Sequence, residues 1–552
     1  MTSQPYHPFE NEDEIGDLPF TIEPINADNE DEPDFKKFDD FRKIFTFENF
    51  GVILVPALAI SINNLINMIY YQFFVMYLGA SGNLHSISSG VFALIEVFDV
   101  FIAILSDSVP FFGRRRKPYQ IVGWCGYILT CFVLIIVPVP EPRNIFSNAS
   151  NATCEMKYKQ RLQHPNFRDF DTYFNWDIFY VIMLAILPVF INAIGVTSNG
   201  LIVEWTQRSK PEDRGKHQTC VVLLMNIFNT INSCILGFGF NWYKYAGPWC
   251  HGISIETIFW LLFGLGCVGL FSTIFMITEK KRRDLVSRKL QFFKMYWKAM
   301  QMTSFQKLLI FIFFSSGFQL MSSPADSMIV EYWVHMESLT TTISTILSEL
   351  FSAVAMGVFF VYLVNGNWRV VLLGSQTAFT VINFTLTNLA IFNILRNQYI
   401  YSPDSIFKSL NLNLFIVLYM IFAAEYTEDN LEASFITCLQ WTLSTGSSFF
   451  GNLAVFIAAP FNVSSSKRYL SDKFGDQLVV ATQSWLFNIF NLGGLILVIN
   501  LMPKNKAHCT YLRNTSEQST NRAILLFAGL LLFTLVNVGI TIAMPWIQKS
   551  LG

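Results

Sequence analysis

Charge is scarce in this chain. Asp, Glu, Lys and Arg make up 14% of its 552 residues, roughly half the share found in soluble domains. A net charge of −2 offers no basic surface for a nucleic acid. His7, His85, His164, His217, His251, His335 and His508 fall in tails, loops or helix ends and form no catalytic or metal-binding set. The nine cysteines are scattered, mostly inside apolar segments, with no zinc or haem spacing. No enzyme chemistry, metal or cofactor is therefore expected. The first 48 residues lack the early basic region and short apolar core of a secretory signal. They hold fourteen Asp and Glu against Lys36, Lys37, Arg42 and Lys43, and read as a disordered cytosolic tail that solubilises the chain or binds a partner.

Apolar residues are abundant. They reach 52%, with 55 Phe. A soluble domain cannot hide that much apolar surface, because buried area grows too slowly with size; a bilayer can. Runs of about 20 apolar residues match its hydrocarbon thickness. Thirteen such runs lie near 50–78, 88–109, 120–139, 177–203, 218–241, 253–277, 304–323, 341–364, 370–392, 409–426, 432–459, 478–501 and 522–545. The expected fold class is an all-α polytopic membrane protein. The weakest run is 409–426, which is short and carries Asn411, Asn413 and Glu425; the last, after a polar stretch, reads as an addition to twelve core helices.

Lys and Arg favour the cytosolic side of a membrane. They crowd the 109–119 turn, the 204–217 loop (Arg208, Lys210, Arg214, Lys216) and the 278–303 connector, which holds eight of them. With the amino terminus inside, the 140–176 loop lies outside, where its sequons Asn148-Ala-Ser and Asn151-Ala-Thr would be glycosylated. Its five basic residues count against that orientation. Cys154 in this loop and Cys250 in the next outer loop either pair as a disulfide or stay free. The connector follows six runs and divides the chain. The expected domains are a tail 1–48, a first six-helix bundle 49–277, a connector 278–303, a second six-helix bundle 304–501, and a polar loop with an additional helix 502–552. Arg288, Lys289, Lys294 and Lys298, interleaved with Phe292, Phe293, Tyr296 and Trp297, make the connector either a plain linker or an amphipathic helix on lipid.

Polar side chains in hydrocarbon need a partner or a cavity. Asn63 and Asn67 share a helix face, with Tyr70 nearby; they either line a cavity or join two helices. Asn199, Asn226, Asn229, Gln319 and Asp326 are further pocket candidates. Glu96 and Asp99 share a face of the second run, and paired carboxylates raise one another's pKa. With Glu349 they are the proton-coupling candidates; local bonding without proton traffic is the plainer reading. No Lys or Arg lies between Phe50 and Gly113 or near the middle of a later run; Lys244 and Lys307 sit toward ends. A pocket for a carboxylate or phosphate normally uses a cation, so a neutral or cationic solute is expected, or an anion held by amides and helix ends.

The stretch Ser106-Asp-Ser-Val-Pro-Phe-Phe-Gly-Arg-Arg-Arg-Lys-Pro-Tyr119 resembles the cytoplasmic loop motif of the major facilitator superfamily, and specifically that of the folate–biopterin transporter family. Leu201-Ile-Val-Glu204, Glu212-Asp-Arg-Gly-Lys-His-Gln218, Ser323-Pro-Ala-Asp-Ser-Met328 and Leu431-Glu-Ala-Ser-Phe435 resemble further segments of that family in the expected order. The resemblance implies a two-bundle fold and alternating-access transport of a folate- or pterin-like solute. It implies gating roles for Asp107, Gly113, Arg114, Arg115, Arg116 and Glu432, and a second inner latch of Glu204 with Arg214. The chain departs from the family at helix four, where Asn199 replaces an aspartate, which makes it a divergent member. A carrier of a nucleoside, sugar or amine and a non-transporting receptor are the other readings. The expected setting is the plasma membrane, with a monomer, a small organic solute, a proton as coupling ion and surrounding lipid.

Overall fold

Each apolar run long enough to cross a bilayer becomes a helix, because only a helix bonds its own backbone groups where water is absent. The computed structural model describes residues 47–71, 73, 95, 98–139, 176–211, 213–242, 249–279, 289–428, 430–463 and 466–551. Among these, twelve helices are long and apolar enough to span a membrane. They account for every predicted run except 88–109. That one is described in part and is helical at 98–108.

The first half contains α1 (Phe47–Tyr71), α2 (98–108), α3 (Lys117–Ile136), α4 (Trp176–Arg208), α5 (Lys216–Gly239) and α6 (Ile255–Met276). The connector holds a short helix, α7 (Lys289–Met300). It buries Phe292 and Ala299 and exposes Phe293, Lys294, Trp297 and Lys298, an amphipathic pattern suited to lipid headgroups. The second half contains α8 (Thr303–Leu320), α9 (Pro324–Met328, continued by a π-helical turn Ile329–Val334), α10 (Ser338–Val358), α11 (Trp368–Ile391), α12 (Pro403–Tyr426), α13 (Glu432–Ala458) and α14 (Phe474–Leu501). A nine-residue helix, α15 (Lys506–Asn514), and a last long helix, α16 (Thr520–Leu551), complete the chain.

Helix α1 packs on α4, α5 and α6, and α3 on α4 and α6. In the second half α8 packs on α13 and α14, and α11 on α12 and α14. The halves meet along α5 against α10 and α4 against α13. Small residues bring these helices close. A Cβ on Gly237 of α5 would lie 2.3 Å from Thr342 Cγ2 of α10. Ala103, Val196 and Ala433 form one buried contact from α2, α4 and α13.

The run predicted to be weakest, 409–426, belongs to a 29-residue span, Gln398–Tyr426, that is mostly buried. Pro403 near its first turn lets the helix begin six residues before the predicted start. Its amides are internally bonded: Asn411 Nδ2 donates to Gln376 Oε1 (2.5 Å) and Asn413 to Ser409 O (2.9 Å). The final helix docks on α13 through Thr445–Thr534 (3.0 Å) and Asn452–Asn537 (2.5 Å) hydroxyl and amide bonds. Phe533 stacks near Phe313 and Phe449. Cys250 is disulfide-bonded; its expected partner Cys154, both sequons and the acidic tail lie outside the described residues.

Candidate functional site

The basic turn is shaped by its backbone. Phe111 N donates to Arg114 O (2.8 Å) and Arg114 N to Phe111 O (3.1 Å). The two central residues, Phe112 (φ 53) and Gly113 (φ 74), are both left-handed, a geometry that glycine adopts without strain. The Glu279 carboxylate then accepts from the backbone N–H groups of Arg115, Arg116 and Lys117 at 2.8–3.3 Å. It satisfies the open donors at the start of α3 and complements that end's partial positive charge. The sequence reading missed Glu279. Its one signal was an acid standing alone at the edge of a basic connector.

The turn carries Arg115 and Arg116 into the seam between the halves, where both are buried. Arg116 Nη2 donates to Asp107 Oδ1 and to Glu432 Oε2, each at 2.8 Å. Arg115 Nη2 reaches the same two carboxylates at 3.1 and 3.3 Å, and its Nη1 donates to Asn430 Oδ1 (3.1 Å). Ser434 N and Oγ both donate to Asp107 Oδ2 at 2.7 Å. Glu204 adds charge from α4, with Oε2 3.6 Å from Arg116 Nε. Burial alone would depress the Arg116 guanidinium, but Asp107, Glu432, Glu204 and Glu279 together raise it above its ordinary value. The network ties α2, α3 and α4 to α13.

Gly200 makes this approach possible. A Cβ there would lie 2.2 Å from Arg116 Nη1 and 2.7 Å from Ala433 Cβ. No sequence signal marked it. Arg114, expected to share the network, contributes backbone bonds only. Asn199, expected in a pocket, stands beside Gly200 at the level of this network, with its buried Oδ1 unbonded among the described residues. The expected Glu204–Arg214 latch does not form. Glu204 turns to Arg116 and Arg208, while Arg214 pairs with Glu425 of α12 (3.5 Å). Gly215 (φ 90), next to Arg214, stands in the left-handed region just before α5 begins. Gln207 Nε2 also crosses, to Thr427 O (2.8 Å). Helix α15 straps the same end: Lys506 Nζ donates to Pro211 O (3.1 Å) in the first half and Asn365 Oδ1 (2.7 Å) in the second. Burial pulls the Lys506 ammonium down to about 8.

Deeper in the membrane, Glu349 of α10 and Asn229 of α5 come close enough to interact across the seam. Asn226, three residues away from Asn229 on the same face, is wholly buried with neither amide atom bonded among the described residues. Helix α1 packs on α5. Between Phe50 and Tyr70 its one exposed residue is Asn67; Asn63 is half-buried and Tyr70 buried. Asp99 is buried and accepts from Asn192 Nδ2 (3.2 Å). Its expected partner Glu96 lies outside the described residues.

Gln319 and Asp326 line one polar cavity inside the second half, with Asn383, Asp404, Lys408, Asn488 and Asn491. Its volume of about 20 Å³ holds about one water. Asp326 is positioned by its own helix start: Ser323 Oγ accepts from Ala325 N (3.1 Å), capping the helix, and Asp326 stands in its first turn. Asp404, in the first turn of α12, accepts from Asn383 Nδ2 (2.9 Å). Ser323-Pro-Ala-Asp326 and Ser402-Pro-Asp404 are thus two proline-led helix starts bringing carboxylates to one cavity. The second went unread because α12 was begun too late. For the same reason Lys408, which the expected run 409–426 left just outside, belongs to the helix. Lys408 sits inside the Gln398–Tyr426 span and lines this cavity beside the two carboxylates.

Residues 61–146 match the BT1 family, the folate–biopterin transporters. No curated protein matches the chain. Its fold is similar to that of the proton:xylose symporter XylE bound to 6-bromo-6-deoxy-D-glucose, a major facilitator superfamily protein. The TM-score is 0.54 at 9% identity, covering 84% of this chain and 98% of that one. The human organic anion transporter MFSD10 (TETRAN) aligns with a TM-score of 0.49 at 13% identity, over 83% of this chain and 99% of that one. The resemblance read from the loop motif is shown over residues 61–146, and the fold is that of multi-pass major facilitator superfamily transporters.

Proposed function

From a chain that matches the BT1 family in residues 61–146 and folds as a membrane transporter, we propose a secondary carrier of a small organic solute that works by alternating access. The basic end is cytosolic, as is the amino terminus, and it is closed in the conformation described. The halves rock about the α5–α10 and α4–α13 seams. Asp107, Arg115, Arg116 and Glu432 hold the cytosolic gate. The expected domain boundaries, a monomeric state and a plasma-membrane setting go with this reading.

The observation that carries the proposal is Asn226. Both of its amide atoms are buried without a partner among the described residues, next to Asn229, which approaches Glu349 across the seam. An unmet buried amide is costly. A solute or water drawn into the seam as the halves move would meet it. Asn63 and Asn67 on α1 supply further amides, and amides exposed on an otherwise buried helix suit water better than lipid. Gln319 and Asp326 bind from the second half once their cavity widens. Glu349 and Asp99 are the coupling groups, with Glu96.

Family resemblance favours a folate- or pterin-like solute, and Lys408 removes the objection that no cation faces a pocket. The paired Asp326 and Asp404 favour the second reading, an amine or other cationic solute.

The test is uptake into proteoliposomes of labelled folate, pterin, nucleoside, sugar and amine under an inward proton gradient. One of them accumulates with the native protein. Glu349→Gln loses gradient-driven accumulation and keeps solute exchange. Binding of a solute without flux would instead make the chain a receptor with a transporter fold. No uptake and no binding of any compound would end the carrier reading.

A further inference from the structure

A second cavity lies at the basic end. It has a volume of about 510 Å³. Its walls come from three parts of the chain: Gln207 and Arg214 from the first half, Thr427 and Glu428 from the second, and Arg513 and Asn514 from α15. The Gln207–Thr427 bond that crosses the seam forms part of its lining.

Two guanidiniums face this space and neither is well satisfied. Arg513 Nη1 donates to the backbone carbonyl of Glu425 (3.1 Å), and no carboxylate lies within ion-pair distance of it among the described residues. Arg214 donates through Nη2 to Gln207 O (3.3 Å) and makes a long contact to Glu425 (3.5 Å), and its buried Nε has no hydrogen-bond partner among the described residues. Lys506 adds positive charge nearby, within the field of Glu425. Against these three cations stand Glu425 and Glu428, so the surroundings carry a net positive charge. Planar guanidinium donors with free N–H groups match the paired oxygens of a phosphate or carboxylate.

We propose that this cavity is an accessory anion site, taking a phosphate or carboxylate group between Arg513 and Arg214. Its walls belong to both halves, so it is complete only while the basic end is closed. An occupant therefore stabilises the closed conformation by binding it preferentially. The last point alone rests on the carrier reading; binding at the site does not. The C-terminal addition gains a role beyond anchorage, because α15 supplies half of the anion's donors.

The experiment uses the full-length protein in phosphatidylcholine nanodiscs, with thermal unfolding followed against inorganic phosphate. Native protein shows a saturable rise in Tm. In Arg513→Gln the half-saturating phosphate concentration rises at least tenfold. Arg513→Lys, which keeps the charge and loses the fork, falls between them and guards against a misfolded variant. Arg116→Ala leaves the cavity residues intact but frees the halves, and it also weakens phosphate binding. If free phosphate is inert but nanodiscs containing phosphatidylinositol 4-phosphate stabilise the native protein and not Arg513→Gln, the anion is a lipid headgroup and the site stands. A non-saturating rise shared by native protein and Arg513→Gln is the general effect of an excluded salt and overturns the proposal. The absence of stabilisation by either source also overturns it.

Discussion

At the basic end, Asp107, Arg115 and Arg116 of the first half meet Glu432 and Ser434 of the second. At the opposite end, Arg396 takes Asp472 in a bidentate pair (2.6 and 2.7 Å) that lies wholly within the second half. The chemistry of the two ends is the same and the setting differs. The Arg116 and Asp107 side chains are completely buried, whereas those of Arg396 and Asp472 are 16% and 32% exposed. Arg396 also lies over the Trp333 ring, 4.8 Å from its centroid. Every ion pair described between the halves lies at the basic end. Buried charges gain little net stability over apolar packing, but they are strict about partners. A seam closed by them has one register and an abrupt opening. The opposite end, free of such pairs among the described residues, is where an entrance would form in this conformation.

Removing one partner from the buried network breaks the comparison most strongly. Arg116→Ala leaves Asp107, Glu432 and Glu204 facing one another and costs about 3–5 kcal/mol, read as a fall in Tm. Gly200→Ala ranks next. The added methyl meets Arg116 and Ala433 far inside contact distance, and overpacking costs about 1–3 kcal/mol; the check is again thermal unfolding. Arg396→Ala ranks last, at about 1 kcal/mol for a partly exposed pair. That last effect has a defined pH window. The Arg396 hydrogen bonds hold the Asp472 carboxyl below its ordinary value. A depressed carboxylate contributes stability that is present above its unfolded pKa, about 3.9, and disappears as pH falls through the folded value. The melting curves of native protein and Arg396→Ala therefore converge below about pH 4. Equal losses at both ends would remove the distinction between them.

Much of the architecture was legible because the bilayer enforces it: apolar length predicts spans, and the basic run marked the turn after α2. Asp107, Arg115, Arg116 and Glu432 were found as motif residues, but their convergence across 316 positions of sequence is tertiary and has no local signature. The same is true of Gly200, whose only role is an absent side chain. The pairing of Arg214 with Glu425 rather than Glu204 is likewise a tertiary contact between distant segments. Lys408 and Asp404 were misplaced for a simpler reason. Hydropathy blurred the start of a helix whose first turns are polar, and a proline-led start inside the membrane was read as loop.

The central claim is that the basic end opens when this charge network lets go. Its most direct measurement is the distance between spin labels at Lys210 and Gly366, on loops of opposite halves, in otherwise native protein and in Arg116→Ala. Two populations are predicted: a short distance dominant in native protein, and a longer one that becomes dominant in Arg116→Ala. A single short distance in both proteins, unchanged by solute or proton gradient, would contradict it.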